Sequence, residues 1–422
     1  MSSMCNHDEH AVVRCRMYRY GTRICYRLTV MLSVFCGAMS PAVAQEPGWE
    51  DGATHEVGGL QIVLSKPRLM HRSQGFLWFP SMYHLGGERL FVVASTYADQ
   101  AQNVTPGVVL FSKDGGWTWS QPIDNSYGEM AIPRPDGSTL LLSYYLRLQS
   151  PDRATGQVWR IPRDQEHIEA IRDELFVSGW PRKIGPLDAD LGNPRAEWKL
   201  ASFVFNGQSV LAKDGRIHLA TLYGRFAGTK RYSLVLAESA DGLQWTIRAV
   251  IADETCELVG QEGPCESALV RLKDGRLFCV FRLDSSVDFG HCFSDDDGKT
   301  WTEPRNLKGT HSVQPSLSVS ETGKLLLSGG RPGLFIWINR RGDAVGWEKI
   351  DLARHHNQWV EDEPILKAVA AFDSNTSSYT EVRWLDDQRF LVVYDRLANG
   401  WHAIPADSHA TNSLWVVRGR VK

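Results

Sequence analysis

The 422-residue chain has little excess charge of either sign: 46 Lys and Arg stand against 49 Asp and Glu, a net charge of −3. That balance excludes the broad basic surface that binds nucleic-acid phosphates or anionic membranes. Long apolar runs are also scarce, and the stretch Leu28 to Met39 is too short to span a bilayer. Cysteine is sparse. Of eight, Cys5, Cys15, Cys25 and Cys36 lie near the N-terminus, and no histidine stands at a zinc-ligand spacing from the remaining Cys256, Cys265, Cys279 and Cys292. His291, His311, His355 and His356 likewise lack spaced acidic partners, so they read as core or surface residues rather than a metal or lyase site.

The N-terminus carries an address. Arg14, Arg16, Arg19, Arg23 and Arg27 precede the short apolar run, and Ala42-Val-Ala44 supplies small residues at the cleavage-determining positions. Residues 1–44 therefore read as a secretory signal peptide, with Met17 as a second candidate start, and residues 50–422 as one extracytoplasmic domain without an integral membrane segment. In an oxidising compartment Cys256 and Cys265, which bracket a polar loop, are expected to form a disulfide; Cys279 and Cys292, in successive apolar strands, either pair or remain buried thiols.

The 15 Trp, 12 Tyr and 16 Phe suit a β-rich fold, a sugar-binding cleft, or both. Six turn-plus-strand segments recur at intervals of roughly 50 to 80 residues. They begin at Leu85, Pro135, Lys213, Lys273, Glu321 and Asp386, and four contain Asp-Gly or Thr-Gly ahead of an apolar run. Gly between apolar runs is a strong hairpin signal. Two insertions interrupt the rhythm. In Leu148 to Ser202, the spacing of Ile168, Ile171 and Leu175 predicts a short helix over Asp164 to Phe176. The second runs from Leu352 to Asn375. The strand Leu414 to Arg418 is expected to pair with Leu60 to Leu64 and close the architecture.

An eight-residue pattern occurs twice, as Ser112-Lys-Asp114-Gly-Gly116-Trp-Thr118-Trp119 and Ser294-Asp-Asp296-Asp-Gly298-Lys-Thr300-Trp301, with a shorter copy at Ser239-Ala-Asp241-Gly242-Leu-Gln-Trp245. Ser and Asp can bond backbone groups across a tight turn that Gly permits. The pattern resembles the Asp-box, or BNR repeat, of the sialidase superfamily. The resemblance implies an all-β, six-bladed propeller with a short helical insertion in the second blade region, the boxes being structural.

The same resemblance implies a site. The run Glu266-Ser-Ala-Leu-Val-Arg-Leu-Lys-Asp-Gly-Arg-Leu-Phe-Cys-Val-Phe-Arg282 matches the family's Glu, hairpin, Arg order, making Glu266 the base and Arg282 a carboxylate ligand. Tyr379, in Ser377-Ser-Tyr379-Thr-Glu381, matches the nucleophile, a residue type suited to an anomeric carbon that already bears a carboxylate. Arg331, in Gly329-Gly-Arg331-Pro-Gly333, matches the third arginine of the family's carboxylate-binding triad, and Asp99, with Asn103 competing, the acid/base. The departure lies at the first blade, where Trp78 stands in Phe76-Leu-Trp78-Phe-Pro80 at the position of the family's first arginine. Arg160-Ile-Pro162 falls in the insertion, and Arg72 is out of register. Trp78 is thus expected to stack on a sugar face. The implied function is a retaining exo-glycosidase of terminal acidic sugars on glycans, needing no metal or organic cofactor and acting as a monomer. The competing expectations are a glycan-binding propeller without catalysis and a glycosidase of this fold for an acidic sugar other than sialic acid.

Overall fold

The computed structural model describes residues 51–99, 106–126, 128–187, 199–368 and 373–422. The predicted leader and Asn103 lie outside them. The described chain is all-β with almost no helix, and every strand pairing is antiparallel except that of Phe176–Ser178 with Gln244–Thr246. None of its helices is long and apolar enough to cross a membrane.

All six expected hairpins are present. Each opens a four-stranded antiparallel unit. The first strands of the units are Trp78–Gly86, Gly128–Pro133, Leu200–Leu211, Ser267–Arg271, Ser316–Val319 and Thr380–Trp384. Several second strands, such as Thr139–Ser143, Leu277–Phe281 and Leu325–Gly329, are buried at every residue. Uninterrupted apolar runs are what a strand covered on both faces requires.

What covers them is the neighbouring unit. Phe278 and Val280 of the fourth unit pack with Leu325, Leu327 and Trp337 of the fifth. The cycle closes where Met82, Leu90 and Val92 of the first unit pack with Leu391, Val393 and Val416 of the sixth. The first strands also lie each against the next, including Thr380–Trp384 against Trp78–Gly86. The second and third units are further joined into one nine-stranded sheet, bridged by Tyr145–Ser150.

The sixth unit is completed by the beginning of the described chain. Its third strand, Asn412–Val421, pairs with Leu60–Ser65 through Ile62, Val63 and Leu64 opposite Val421, Arg420 and Gly419. The anticipated pairing therefore exists, but farther along. Leu414 and Trp415 face Arg68–Ser73 instead.

Two expectations fail. The segment read as a helix contains the strand Glu169–Ser178, hydrogen-bonded to Arg153–Ile161 along most of its length. Three apolar residues at helical spacing could not outweigh a waiting strand edge, and Leu175 with Val177 alternates into the core instead. The α-helix among the described residues is Leu352–Asn357, in the other insertion. The Cys256–Cys265 disulfide is absent as well. Cys256 packs into the apolar layer between the third and fourth units, whereas the Cys265 thiol turns toward Glu262. Cys279 and Cys292 face each other across adjacent strands and are free thiols.

Candidate active site

Antiparallel order sends the start of every first strand and the end of every second strand to the same end of the molecule. Residues far apart in sequence therefore meet there. A cavity of about 340 Å³ at this end is lined by Asp99, Glu266, Arg282, Arg331 and Tyr379 together. Glu266 and Tyr379 immediately precede first strands; Arg282 immediately follows the second strand of the fourth unit, and Arg331 follows that of the fifth by two residues.

Glu266 is 6% exposed and is the hub. Its Oε1 accepts the Tyr379 hydroxyl, and its Oε2 accepts Arg282 Nη1 and the Gln314 amide, both at 2.9 Å. Burial by itself would raise the Glu266 pKa. The Arg282 charge and the hydrogen bonds from Tyr379, Arg282 and Gln314 outweigh it, so the carboxylate is held below its ordinary value. Burial and the adjacent Glu266 charge push the Tyr379 phenol well above its usual value, so the resting site holds a neutral phenol on an ionised carboxylate. The phenolic proton already points at its acceptor.

The two arginines are used differently. Arg282 is clamped between carboxylates, with Nη2 donating to Glu262 Oε1 at 2.8 Å beside the Glu266 contact. Arg331 is 6% exposed, its guanidinium lies 4.6 Å above the Trp401 ring, and its buried Nη1 has no hydrogen-bond partner among the described residues. Burial lowers its pKa, with partial compensation from Tyr379. A buried cation with an unused donor facing a cavity suits an anionic group of a ligand.

Asp99 is solvent-exposed where it lines the cavity. Desolvation and then the Glu266 charge raise its pKa to about 6, against Arg331 and Arg282. A carboxyl tuned this way can both give and take a proton near neutrality.

Trp78 is not available to a ligand. It is 1% exposed, donates its indole N–H to the Tyr97 carbonyl at 2.8 Å, and stacks beneath Phe79 with ring centroids 4.4 Å apart. Phe79 lines the cavity in its place. The backbone explains the swap: Phe79 has φ of 55° at an irregularity in the ladder, just before Pro80, which lacks an N–H. Alternation counted from sequence fails across such a break.

Other cavity residues had no motif. Arg225 follows the second strand of the third unit as Arg282 and Arg331 follow theirs, a repeat-aligned position that could have revealed it. Glu262, Tyr144, Tyr223, Tyr232 and Trp401 complete much of the wall, and Tyr144 and Tyr223 share a hydroxyl hydrogen bond of 2.6 Å. The histidines stay outside. His355 and His356 are buried on the Ser65 carbonyl and the Tyr394 hydroxyl, both at 2.8 Å. Among the described residues no group of three or more His, Cys, Asp and Glu could hold a metal.

The repeated boxes sit at the other end, each joining the third and fourth strands of a unit. In the two full copies Asp114 and Asp296 accept two backbone amides and a threonine hydroxyl, and Ser112 and Ser294 accept the amides of Gly116 and Gly298. A fourth, unrecognised copy occupies the fifth unit. There Asn339 accepts the Asp343 amide, Asp343 accepts the Val345 amide, and the Trp347 indole caps the Ala344 carbonyl at 3.0 Å. Asn in place of Ser and an Asp two residues later hid it from the pattern.

Comparison with known proteins rests on structure alone. No family model matches the sequence, and no curated protein matches it. Among solved structures, a protein of unknown function from Dyadobacter fermentans aligns with a TM-score of 0.61 and 16% identity over 86% of this chain and 99% of that one. The NanB sialidase of Streptococcus pneumoniae aligns at 0.50 and 14%, over 84% of this chain and 70% of that one. A Hadza microbial sialidase aligns at 0.50 and 12%, over 82% and 65%. The chain thus has a sialidase-like fold. At these identities the likeness concerns the fold only.

Proposed function

We propose that the six units are the blades of a sialidase-type propeller and that the cavity is the active site of a retaining exo-glycosidase acting on a terminal acidic sugar of a glycan. The observation that carries this reading is the Tyr379–Glu266–Arg282 hydrogen-bonded chain, with Asp99 and Arg331 on the same cavity. Tyr379 Oη attacks the anomeric carbon while its proton passes to Glu266, and Asp99 protonates the departing glycosidic oxygen. In the second half Asp99 removes a proton from water, which attacks the same carbon; Tyr379 leaves and recovers its proton from Glu266. Glu266 and Tyr379 oppose each other's charge in the resting site, so proton transfer accompanies attack rather than preceding it. Arg331 holds the acidic substituent. Arg282 chiefly keeps Glu266 ionised and aimed.

A second reading keeps the chemistry and changes the sugar. Phe79 packs on Tyr379 with ring centroids 4.5 Å apart, next to Trp78, the position at which the resemblance implies an arginine. That favours an acidic sugar other than sialic acid, such as a uronic acid. The N-terminal leader, cleaved near Ala44, would deliver the domain outside the cytoplasm. A panel of 4-methylumbelliferyl glycosides that includes the sialoside and the glucuronide tests both readings. Release from an acidic glycoside is expected; glycan affinity with no cleavage of any substrate would overturn the catalytic reading in favour of a binding propeller.

A further inference from the structure

Asp395 lies in the second strand of the sixth unit, Arg389–Arg396, and is fully buried. No carboxylate in such a place is stable without donors. Its donors come from opposite ends of the described chain. Oδ1 accepts the Ser378 amide at 2.5 Å, the Tyr379 amide at 3.2 Å and the Ser377 hydroxyl at 3.3 Å; Oδ2 accepts the Phe79 amide at 3.0 Å and the Tyr379 amide at 3.3 Å. The Asp395 amide in turn donates to the Tyr379 carbonyl at 3.4 Å.

The three amides are the ones that need fastening. Phe79 sits in a left-handed conformation that an aromatic residue adopts at a cost, so the surroundings must enforce it. Tyr379 precedes its strand, and its ring direction is set by this anchor, by the Glu266 carboxylate and by the Phe79 ring packed on it. Both residues belong to the joint between the first and sixth units, where the cycle of strands closes.

We propose that Asp395 is a positioning residue for the nucleophile: one carboxylate gathers the Phe79, Ser378 and Tyr379 amides, locking the closing joint and holding the Tyr379 phenol on Glu266. The proposal rests on the reading of Tyr379 as nucleophile. Asp395 touches no cavity space itself, and its absence from the cavity lining agrees with action through Tyr379. Its charge also supports Arg331, whose pKa it raises against the effect of burial. Desolvation raises Asp395 to about 6 against the pull of the Ser378, Phe79 and Tyr379 amides and the Ser377 hydroxyl, so it is ionised at neutral pH.

Asp395→Asn replaces one acceptor oxygen by a donor, and the amides cannot all be satisfied. With the best substrate of the methylumbelliferyl panel at pH 7, kcat is expected to fall about 10²-fold, the scale of a misplaced reacting group, with KM changed by less than about threefold. Retained kcat, or a loss carried by KM, would overturn the proposal. Hydrogen exchange gives a reading that needs no substrate and no variant. In the wild-type protein the Phe79, Ser378 and Tyr379 amides are expected to share one protection factor, because one carboxylate holds them; independent exchange would sink the idea even if Asp395→Asn fails to fold. Should the wild-type protein cleave nothing on the panel, the enzymatic reading fails separately, and exchange still decides whether the joint is locked by Asp395.

Discussion

The two ends of the molecule are built from the same strands and treat charge in opposite ways. At the box end, Asp114, Asp241 and Asp296 have every nearby amide within five residues, and these bonds hold their pKa values down, that of Asp296 to about 2 despite what desolvation it feels. At the cavity end, partners come from 16 to 113 residues away, as in Arg282 with Glu266 and Tyr379 with Glu266. There Asp99 rises to about 6, Tyr379 rises well above its usual value, and Arg331 keeps an unpartnered donor. One end spends its polar groups on the fold. The other gathers them around a cavity, at a cost in stability that the shared cores must offset.

If that contrast is right, variants at the two ends separate activity from stability. Tyr379→Phe removes the proposed nucleophile and should lower kcat by at least about 10³-fold while leaving the melting temperature unchanged or raised; turnover close to wild type would remove Tyr379 from the mechanism. Trp245→Ala, at the box end, empties a fully buried site that plugs the third unit. It should cost about 3–5 kcal/mol in chemical denaturation with kcat unaffected in the remaining folded protein. Arg331→Met should lose about 1.5–3 kcal/mol of binding, or roughly 10- to 150-fold in kcat/KM for an acidic substrate, and little for a neutral one. Equal losses on both would show that Arg331 reads no charge.

The smallest effect is a slope. In the proposed mechanism Asp99 acts first as an acid, so it must enter protonated, and kcat/KM should fall about tenfold per pH unit above its pKa of about 6. Asp99→Asn should erase that limb. The stability linkage has the same direction: the folded state holds this proton more tightly than the unfolded chain, so whatever Asp99 contributes is present at low pH and lost as pH rises from about 4 to about 6.

Much of the box end was legible. Ser, Asp, Gly and Trp act within one turn, so three copies could be read from the letters, and only the Asn339 to Trp347 variant escaped. The apolar strands after each turn were legible for the same reason. At the cavity end, Glu266 and Arg282 came through because one hairpin carries both. Glu262, Arg225, Trp401 and Asp395 did not, since none sits in a recognisable motif and each matters through contacts or a shared cavity that folding creates. Trp78 misled because the ladder slips at Phe79, and the Asp164 to Phe176 segment misled because its fate was set by the free edge of Arg153–Ile161.

By itself, the sequence determined the local devices: six hairpin turns, the self-capped boxes and the apolar strands that must be covered on both faces. These depend on backbone dihedrals and hydrogen bonds between near neighbours. Only the tertiary structure decided which carboxylate is tuned, that Arg331 leaves Nη1 unpartnered and which aromatic lines the cavity. Those properties come from burial and from charges brought together from different units, and neither is defined until the first and sixth units meet around Asp395 at Phe79 and Tyr379.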